Sequence, residues 1–199
     1  MTVDIFGQSC DILKIMKIAK KYNLKVISDS AQSIGSKVGS KYSGTLADIG
    51  GYSLNYHKHI NTGEGGIIVT NNKKLYERAC LIRNHAEAAI NKKSDKNQLS
   101  NMVGYNFRFG ELEAAIGIEQ LKKLKKLVIN RQKIAKILDK ELSQLEHIQV
   151  PIVSKNNTHC YYLYPINLNI KKINLTRKFI VNKLKKQGVP CLIEGYVNI

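Results

Sequence analysis

The 199 residues are 43% hydrophobic, which is too apolar for a disordered chain, yet no apolar run is long enough to predict a membrane span. The N-terminus lacks a basic head followed by an apolar block, so we expect no secretory signal. The four cysteines lie far apart without a CxxC pair, so we expect free thiols, a reducing compartment and a cytoplasmic protein. The net charge is +17, but only five of the 32 basic residues are arginine and the lysines are spread along predicted helices. We therefore expect no specific nucleic-acid binding, and a basic nucleic-acid-binding protein stays the alternative.

The first predicted elements are a helix and a strand. Residues 9–22 carry Ile12, Ile15, Met16, Ala19 and Tyr22 at helical spacing, which predicts one apolar stripe. Residues 24–28, LKVIS, are a short β-rich run that follows at once. A helix followed directly by a buried strand is typical of the alternation in a parallel α/β sheet.

Further along, the glycine-rich stretch 44–70 predicts two strands, 50–55 and 66–71, joined by a loop. Residues 73–89 have a helical pattern, and residues 91–101 are polar without periodicity, which predicts a surface loop.

The second half begins with an unusually long predicted helix, from residue 111 to about 145. A strand at 161–168 and a helix at 175–187 follow, and Gly188 is the expected stop of that helix. Because a helix of this length commonly links two lobes, we place a domain boundary near residue 125.

Two residues point to chemistry at strand ends. Asp29 directly follows the first predicted strand, at the edge where ligands bind in an open α/β sheet, although aspartate is also a common turn former. Lys58 lies beyond the next strand and precedes the run TGEGG, whose glycines let backbone approach an anionic ligand. A solvated surface lysine is the alternative. An acid and a lysine in this arrangement are what pyridoxal phosphate (PLP) requires.

The histidines beside Lys58 are the obvious candidates for a metal site. His57 and His59 would point in opposite directions on an extended segment, and the sequence offers no third ligand nearby. We expect no metal site.

Three ordered segments resemble the DegT/DnrJ/EryC1/StrS family of sugar aminotransferases: DSAQSIGS (29–36), YSLNYHKHINTGEGGIIVTN (52–71) and VGYNFRFGELEAAIGIEQLKKL (103–124). The resemblance implies an α/β protein of the PLP-dependent fold type I. Residues 1–125 would form part of the PLP-binding large domain, with a mainly parallel sheet. Residues 126–199 would form a linking helix and part of a smaller α+β C-terminal domain.

The same resemblance assigns roles by position. Lys58 matches the Schiff-base lysine, Asp29 the partner of the pyridine nitrogen, and Gln32 the contact to the ring hydroxyl. Ser53 matches a phosphate-binding serine, although Leu54 replaces an aromatic beside it. Asn106 matches an asparagine that reaches the phosphate of the neighbouring subunit, which implies a homodimer.

The implied reaction moves an amino group from glutamate to a nucleotide-linked keto sugar, in amino-sugar or surface-polysaccharide biosynthesis. Relatives that act as dehydratases carry histidine in place of the lysine, so Lys58 favours transamination. We also expect the first third of such an enzyme and its extreme C-terminus to be missing from this sequence. A truncated, inactive or regulatory homologue is therefore an alternative, and within the enzyme reading a cyclitol is an alternative substrate.

Overall fold

The computed structural model describes residues 1–87 and 102–193. Its strands are β1 (Thr2–Val3), β2 (Ile27–Asp29), β3 (Lys37–Val38), β4 (Lys41–Tyr42), β5 (Ile49–Ser53), β6 (Gly66–Val69), β7 (Ile148–Gln149) and β8 (Asn167–Leu168). Its helices are α1 (Ile12–Lys21), α2 (Lys73–Arg83), α3 (Glu111–Leu142), α4 (Ile170–Ile173) and α5 (Arg177–Lys186). None of these helices is both long enough and apolar enough to cross a bilayer.

The chain divides into two compact units. The first comprises residues 1–133 and 153–163, and the second comprises residues 134–152 and 164–199. Helix α3 runs from the first unit into the second. The domain boundary predicted near residue 125 stays a prediction.

A four-stranded sheet in the order β1-β2-β5-β6 forms the centre of the first unit. Strands β1, β2 and β5 run parallel, with Ser28 opposite Gly50 in the β2–β5 pair. Strand β6 joins antiparallel to β5 through the loop that carries Lys58. The predicted mainly parallel sheet is confirmed, and its carboxyl-terminal edge bears Asp29 and Ser53.

Strand β5 packs closely against the backbone of Gly44, and this contact requires glycine at the second position of the strand, Gly50. A Cβ atom on Gly50 would lie 2.1 Å from the carbonyl oxygen of Gly44, which is closer than any atomic contact allows. A Cβ atom on the adjacent Gly51 would meet nothing within 4 Å. The tight approach brings the segment around Gly44 onto the sheet.

Two apolar clusters stabilise this unit. Ile12 and Ala19 of α1 pack on Val26, as the helical stripe predicts, although Tyr22 at its end is 61% exposed. The other cluster joins Ile34, Leu54 and Ile60, and the half-buried side chains Tyr52, Leu124 and Leu127 cover it. The second cluster lies directly beneath the loop that carries Lys58 and ties that loop to α3.

The second unit contains the antiparallel strand pair β7 and β8 and the helices α4 and α5. Tyr164 donates a hydrogen bond from its hydroxyl to Asp139 Oδ1 at 2.6 Å, which fixes the chain before β8 to the last turns of α3. Helix α5 begins with the Thr176 hydroxyl accepting from Phe179 N and ends before Gly188, at φ 83°. Val181 is its buried residue.

Two predicted elements differ from the structure, and a third lies outside the described residues. The strand predicted over residues 161–168 is reduced to Asn167–Leu168, because Tyr161 adopts a left-handed conformation at φ 52° that breaks an extended run. Helix α2 ends at Arg83, and residues 88–89 of its predicted span lie outside the described residues. The loop predicted at 91–101 also lies outside them.

Candidate active site

A buried carboxylate fixes the segment that carries Asp29. Asp4 is 1% exposed, and its Oδ2 accepts hydrogen bonds from the hydroxyls of Ser30 at 2.6 Å, Ser28 at 3.3 Å and Ser33 at 3.4 Å. Because side chains alternate along a strand, the inward-facing Ser28 and Ser30 leave Asp29 facing the opposite side. The serines on either side of Asp29 thus set its direction.

Asp29 and Gln32 are both held by local hydrogen bonds. Asp29 Oδ1 accepts from the backbone N of Ala31 at 3.0 Å, and its carbonyl oxygen accepts from the backbone N of Asp4 at 2.9 Å. Gln32 Oε1 accepts from the backbone N of Phe6 at 2.7 Å. These bonds hold the carboxylate and the amide at the sheet edge, one short turn apart.

The loop between β5 and β6 closes on itself and presents Lys58 at its tip. Leu54 N donates to the carbonyl of Gly65 at 2.8 Å, and Thr62 N donates to the carbonyl of Leu54 at 3.0 Å. Lys58 N donates to the carbonyl of Asn55 at 2.9 Å, which makes a turn immediately before the lysine. The main chain on both sides of Lys58 is therefore fixed.

Glu64 has a structural role in this loop. Its Oε1 accepts from Asn55 Nδ2 at 2.7 Å, and its carbonyl oxygen accepts from Thr62 Oγ1 at 2.7 Å. A charge-assisted hydrogen bond of this kind joins the two ends of the loop. Glu64 therefore stabilises the conformation that presents Lys58.

The Lys58 side chain is half-buried and thus partly shielded from solvent. Its Nζ is 4.7 Å from the centroid of the Tyr162 ring. Burial lowers the pKa of the Lys58 amine below its usual range, and the Asp29 carboxylate opposes that effect. An amine with lowered proton affinity is a better nucleophile toward a carbonyl carbon.

His59, the next residue, is an anchor of the loop. Its side chain is 7% exposed, and its Nε2 lies 2.9 Å from the carbonyl oxygen of Cys160. Within the described residues, its Nδ1 has no hydrogen-bond partner. Burial lowers the pKa of His59, while the bond to Cys160 raises it and the cations Arg131 and Lys58 lower it further. The imidazole is accordingly a neutral group that pins the Lys58 loop to the segment 159–163.

That segment packs directly on the N-terminal turn Ile5–Gly7. Cys160 N donates to the carbonyl of Gly7 at 2.9 Å and to Ser36 Oγ at 3.1 Å. Gly7 has φ 105°, and a Cβ atom there would lie 2.8 Å from Cys160 Sγ. The contact requires glycine, since a side chain would have to occupy the space of the thiol.

Ser53 and Asn106 have simpler surroundings. Ser53 is half-buried at the end of β5, and its Oγ accepts from the backbone N of Asn55 at 3.2 Å. Asn106 is exposed, and its backbone forms an isolated bridge with Asn84. The phosphate-binding roles predicted for both residues stay predictions.

The structure thus gathers Asp29, Gln32, Ser53 and Lys58 at or just beyond one edge of the sheet. Sequence reasoning treats His59 only as a possible metal ligand and assigns no role to Tyr162. Tyr162 lies 104 positions from Lys58 in the sequence, and no local pattern marks a contact over that distance. The periodicity of apolar residues shows only which residues share one face of a helix or strand, and it does not show which distant residues are in contact.

Comparison with known proteins gives a consistent result. The profile of the DegT/DnrJ/EryC1/StrS aminotransferase family matches residues 1–194. GDP-perosamine synthase of Escherichia coli O157:H7 is 38% identical over 166 residues, which are 83% of this chain and 44% of that protein. The chain spans about half the length of the curated relatives it matches.

Solved structures show the same likeness. Helicobacter pylori PseC, an aminotransferase involved in the biosynthesis of pseudoaminic acid, is similar with a TM-score of 0.81 at 31% identity, over 94% of this chain and 49% of that chain. Escherichia coli GDP-4-keto-6-deoxy-D-mannose-3-dehydratase with bound hydrated PLP is similar with a TM-score of 0.82 at 27% identity, over 96% of this chain and 51% of that chain.

Proposed function

Because the chain belongs to the DegT/DnrJ/EryC1/StrS aminotransferase family, we propose that the protein carrying it is a PLP-dependent aminotransferase acting on a nucleotide-linked keto sugar, with glutamate as amino donor. The observation that carries the proposal is the environment of Lys58. This amine is partly buried, has a lowered pKa, and lies within electrostatic reach of the strand-end carboxylate Asp29.

The residues present fit the cofactor. An imine-forming lysine needs a fixed backbone and an amine with lowered proton affinity. Hydrogen bonds hold the Lys58 backbone, and burial lowers the pKa of its amine. A carboxylate must face the pyridine nitrogen, and Asp29 lies at the same sheet edge, facing away from its neighbours Ser28 and Ser30, which are bound to Asp4. Gln32 and Ser53 would supply polar contacts to the ring hydroxyl and the phosphate. When bound, the cofactor withdraws electrons from the carbon that carries the amino group.

The chain's own groups then handle protons and orientation. The Lys58 amine, once free, would take a proton from the donor's α-carbon as general base and pass it to the cofactor as general acid. The lowered pKa of the amine favours its unprotonated form, which the first of these transfers requires. Asp29 keeps a proton on the facing ring nitrogen, because a nearby carboxylate stabilises a cation. The buried His59 holds the Lys58 loop against the segment 159–163.

The choice of transamination over dehydration depends on the amine. Dehydratases are among the structural neighbours, and the resemblance described above implies that dehydratases of this family carry histidine in place of the lysine. An imidazole does not form a stable imine with a carbonyl, whereas the primary amine of Lys58 does. We therefore propose amino transfer for this chain, within amino-sugar or surface-polysaccharide biosynthesis, as the relatives named above suggest.

The proposal includes a homodimer. Asn106 is exposed and its backbone is fixed by the bridge to Asn84, so its side chain is available to a second copy of the chain. In this arrangement Asn106 of one subunit would reach the cofactor phosphate of the other.

The test is covalent trapping on the full-length protein. We would add PLP, reduce with borohydride, and locate the tagged lysine by mass spectrometry. The expected result is one tag, on Lys58, and its loss in Lys58→Ala. Lys37→Ala is the matched control, because Lys37 Nζ also lies 4.7 Å from the centroid of a tyrosine ring, that of Tyr42. Tags scattered over many lysines would contradict the proposal.

A further inference from the structure

We propose that Tyr162 is a positioning residue for the cofactor lysine, its ring face holding the Lys58 amine at the site whenever that amine is free. The inference deepens the proposed function and depends on it, since it concerns the same lysine. Tyr162 is not among the residues that the sequence motifs single out.

The first support is the geometry of the contact. Lys58 Nζ lies 4.7 Å from the Tyr162 ring centroid, within the distance at which the negative face of an aromatic ring attracts a cation. The contact joins residues 58 and 162, which belong to the same compact unit. A flexible four-carbon side chain at a loop tip would otherwise sample many positions.

The second support is that the backbone around the ring is fixed from two sides. Arg131 Nη1 donates to the carbonyl of Tyr161 at 2.8 Å and reaches that of Tyr162 at 3.4 Å. Leu163 N donates to the carbonyl of Phe6 at 3.2 Å. The ring therefore belongs to a rigid part of the first unit.

The third support is that the same framework holds the other proposed cofactor residues. Phe6, which accepts from Leu163 through its carbonyl, donates from its N to the side chain of Gln32. His59, adjacent to the lysine, has its ring centroid 6.0 Å from that of Tyr162. Tyr162, Lys58 and Gln32 are thus positioned by one connected set of contacts.

The function that follows concerns the free amine. A lysine that alternates between carrying a cofactor and moving protons must return to the same place after each release. The Tyr162 ring provides a fixed position for the Lys58 amine. It also favours the charged form of the amine, because the negative face of the ring attracts the ammonium. Tyr162 therefore opposes the effect of burial on Lys58, in the same direction as Asp29.

Within the part of the chain that the structure describes, these charged and titratable groups act on Lys58 or lie beside it. Asp29 acts from β2, His57 and His59 flank the lysine in its own loop, and Arg131 of α3 acts on His59. Removing the Tyr162 ring leaves all of these in place. A change in Lys58 titration would then report the ring itself.

The experiment measures the Lys58 amine without cofactor. Full-length apo protein would be labelled with trace acetic anhydride across a range of pH, and labelling of Lys58 quantified by mass spectrometry. In Tyr162→Leu we expect the midpoint to fall by about 0.5–1 pH unit, because the ammonium loses the ring face. In Tyr162→Phe, which keeps the face, we expect the parent midpoint. Tyr42→Leu, which removes a ring face from Lys37 at the same distance, should leave the Lys58 midpoint unchanged.

A Tyr162→Leu protein that melts like the parent and keeps the parent midpoint would overturn the proposal. So would a Tyr162→Phe midpoint as low as that of Tyr162→Leu, because the hydroxyl rather than the ring would then be responsible. If Tyr162→Leu fails to fold, Tyr162→Met takes its place in the same assay. Since no cofactor is added, these results are independent of the borohydride test, whose failure would remove the proposed function instead.

Discussion

Asp4 is a buried acid, and its hydrogen bonds fix the conformation of the segment that carries Asp29. Its Oδ1 accepts from the backbone N of Cys10 at 2.9 Å, and its Oδ2 accepts from Ser28, Ser30 and Ser33. Three buried hydroxyls share one acceptor, so the carboxylate cannot be replaced without leaving donors unsatisfied. This arrangement makes Asp4 a residue whose loss affects stability first and the site as a consequence.

We predict that Asp4→Ala destabilises the protein by about 2–4 kcal/mol, because buried donors that lose their acceptor retain the cost of desolvation. The free energy of unfolding in urea measures the effect. Asp11→Ala is the control, because the Asp11 carboxylate is exposed and forms an exposed ion pair with Lys14, and no change should be resolved. An Asp4→Ala protein as stable as the parent would contradict the structural role.

The pH behaviour of His59 gives a second prediction at this scale. Burial lowers its pKa in the folded protein, whereas the unfolded chain has a value near 6.5. The folded state therefore binds fewer protons, and stability that is complete above about pH 6.5 is lost as pH falls through the folded pKa, by at most about 1.4 kcal/mol per pH unit. His59→Gln cannot take up the proton and should lose this dependence.

His57→Gln is the matched control on the other side of Lys58. His57 is exposed, so the variant should keep the acid sensitivity of the parent. The free energy of unfolding at about pH 7.5 and about pH 5 measures both variants. Equal acid sensitivity in His59→Gln and the parent would show that another group is responsible.

At the residue scale, the sequence indicates groups whose chemistry is local and misses those defined by distant contacts. Lys58 and Asp29 are recognisable because each follows a strand and stands in a motif. Tyr162 is not, because its significance comes from a lysine 104 positions away. Asp4 is missed for the same reason, since the serines that bind it lie 24 to 29 positions along the chain.

Among the elements, β5 is the strand whose sequence is most tightly constrained. Gly50→Ala would place a methyl group 2.1 Å from the Gly44 carbonyl oxygen, whereas Gly51→Ala would meet nothing within 4 Å. We expect Gly50→Ala to destabilise the protein by at least about 2 kcal/mol, because backbone must shift to admit the methyl group. Gly51→Ala should stay within about 1 kcal/mol of the parent. Urea unfolding of the adjacent pair measures the difference, and equal effects would show that the two backbones are not in contact.

Secondary-structure predictions succeed where an apolar periodicity extends over many residues. They fail where backbone carbonyls accept hydrogen bonds from a side chain instead of a neighbouring strand. The predicted helix 111–145 corresponds to Glu111–Leu142, and its stripe of apolar residues is long enough to be unambiguous. The predicted strand 161–168 is wrong over most of its length. Its aromatic and β-branched residues favour a strand, but Arg131 takes the carbonyls of Tyr161 and Tyr162, and Tyr161 leaves the extended region.

For the whole molecule, the most conspicuous property is the net charge of +17. The basic residues are mainly lysines distributed along the chain, so we predict weak, non-specific binding to duplex DNA. The dissociation constant should be weaker than about 1 µM at physiological salt and should weaken steeply between about 50 and 200 mM salt. Fluorescence anisotropy with duplexes of unrelated sequence measures this. A nanomolar, sequence-dependent affinity would contradict the prediction.

The fold class is predictable from the sequence, but its assembly is not. A helix followed by a strand indicates a parallel α/β sheet, and the sheet is mainly parallel. The antiparallel attachment of β6 could not be anticipated, because it depends on how the Lys58 loop closes through Leu54 and Gly65.

The packing of residues 159–163 on the turn Ile5–Gly7 has a consequence for how the site comes into being. Cys160 donates hydrogen bonds from its backbone N to Ser36 Oγ and from its thiol to the carbonyl of Gln32, over sequence separations of 124 and 128 residues. Contacts of such high separation form slowly, because a long loop must close first. During synthesis, Asp29 and Lys58 leave the ribosome well before residue 160 exists. The edge of the sheet that bears Asp29 can therefore form early, whereas the contacts of the Lys58 loop with Cys160 and Tyr162 form only after residues 159–163 have been translated.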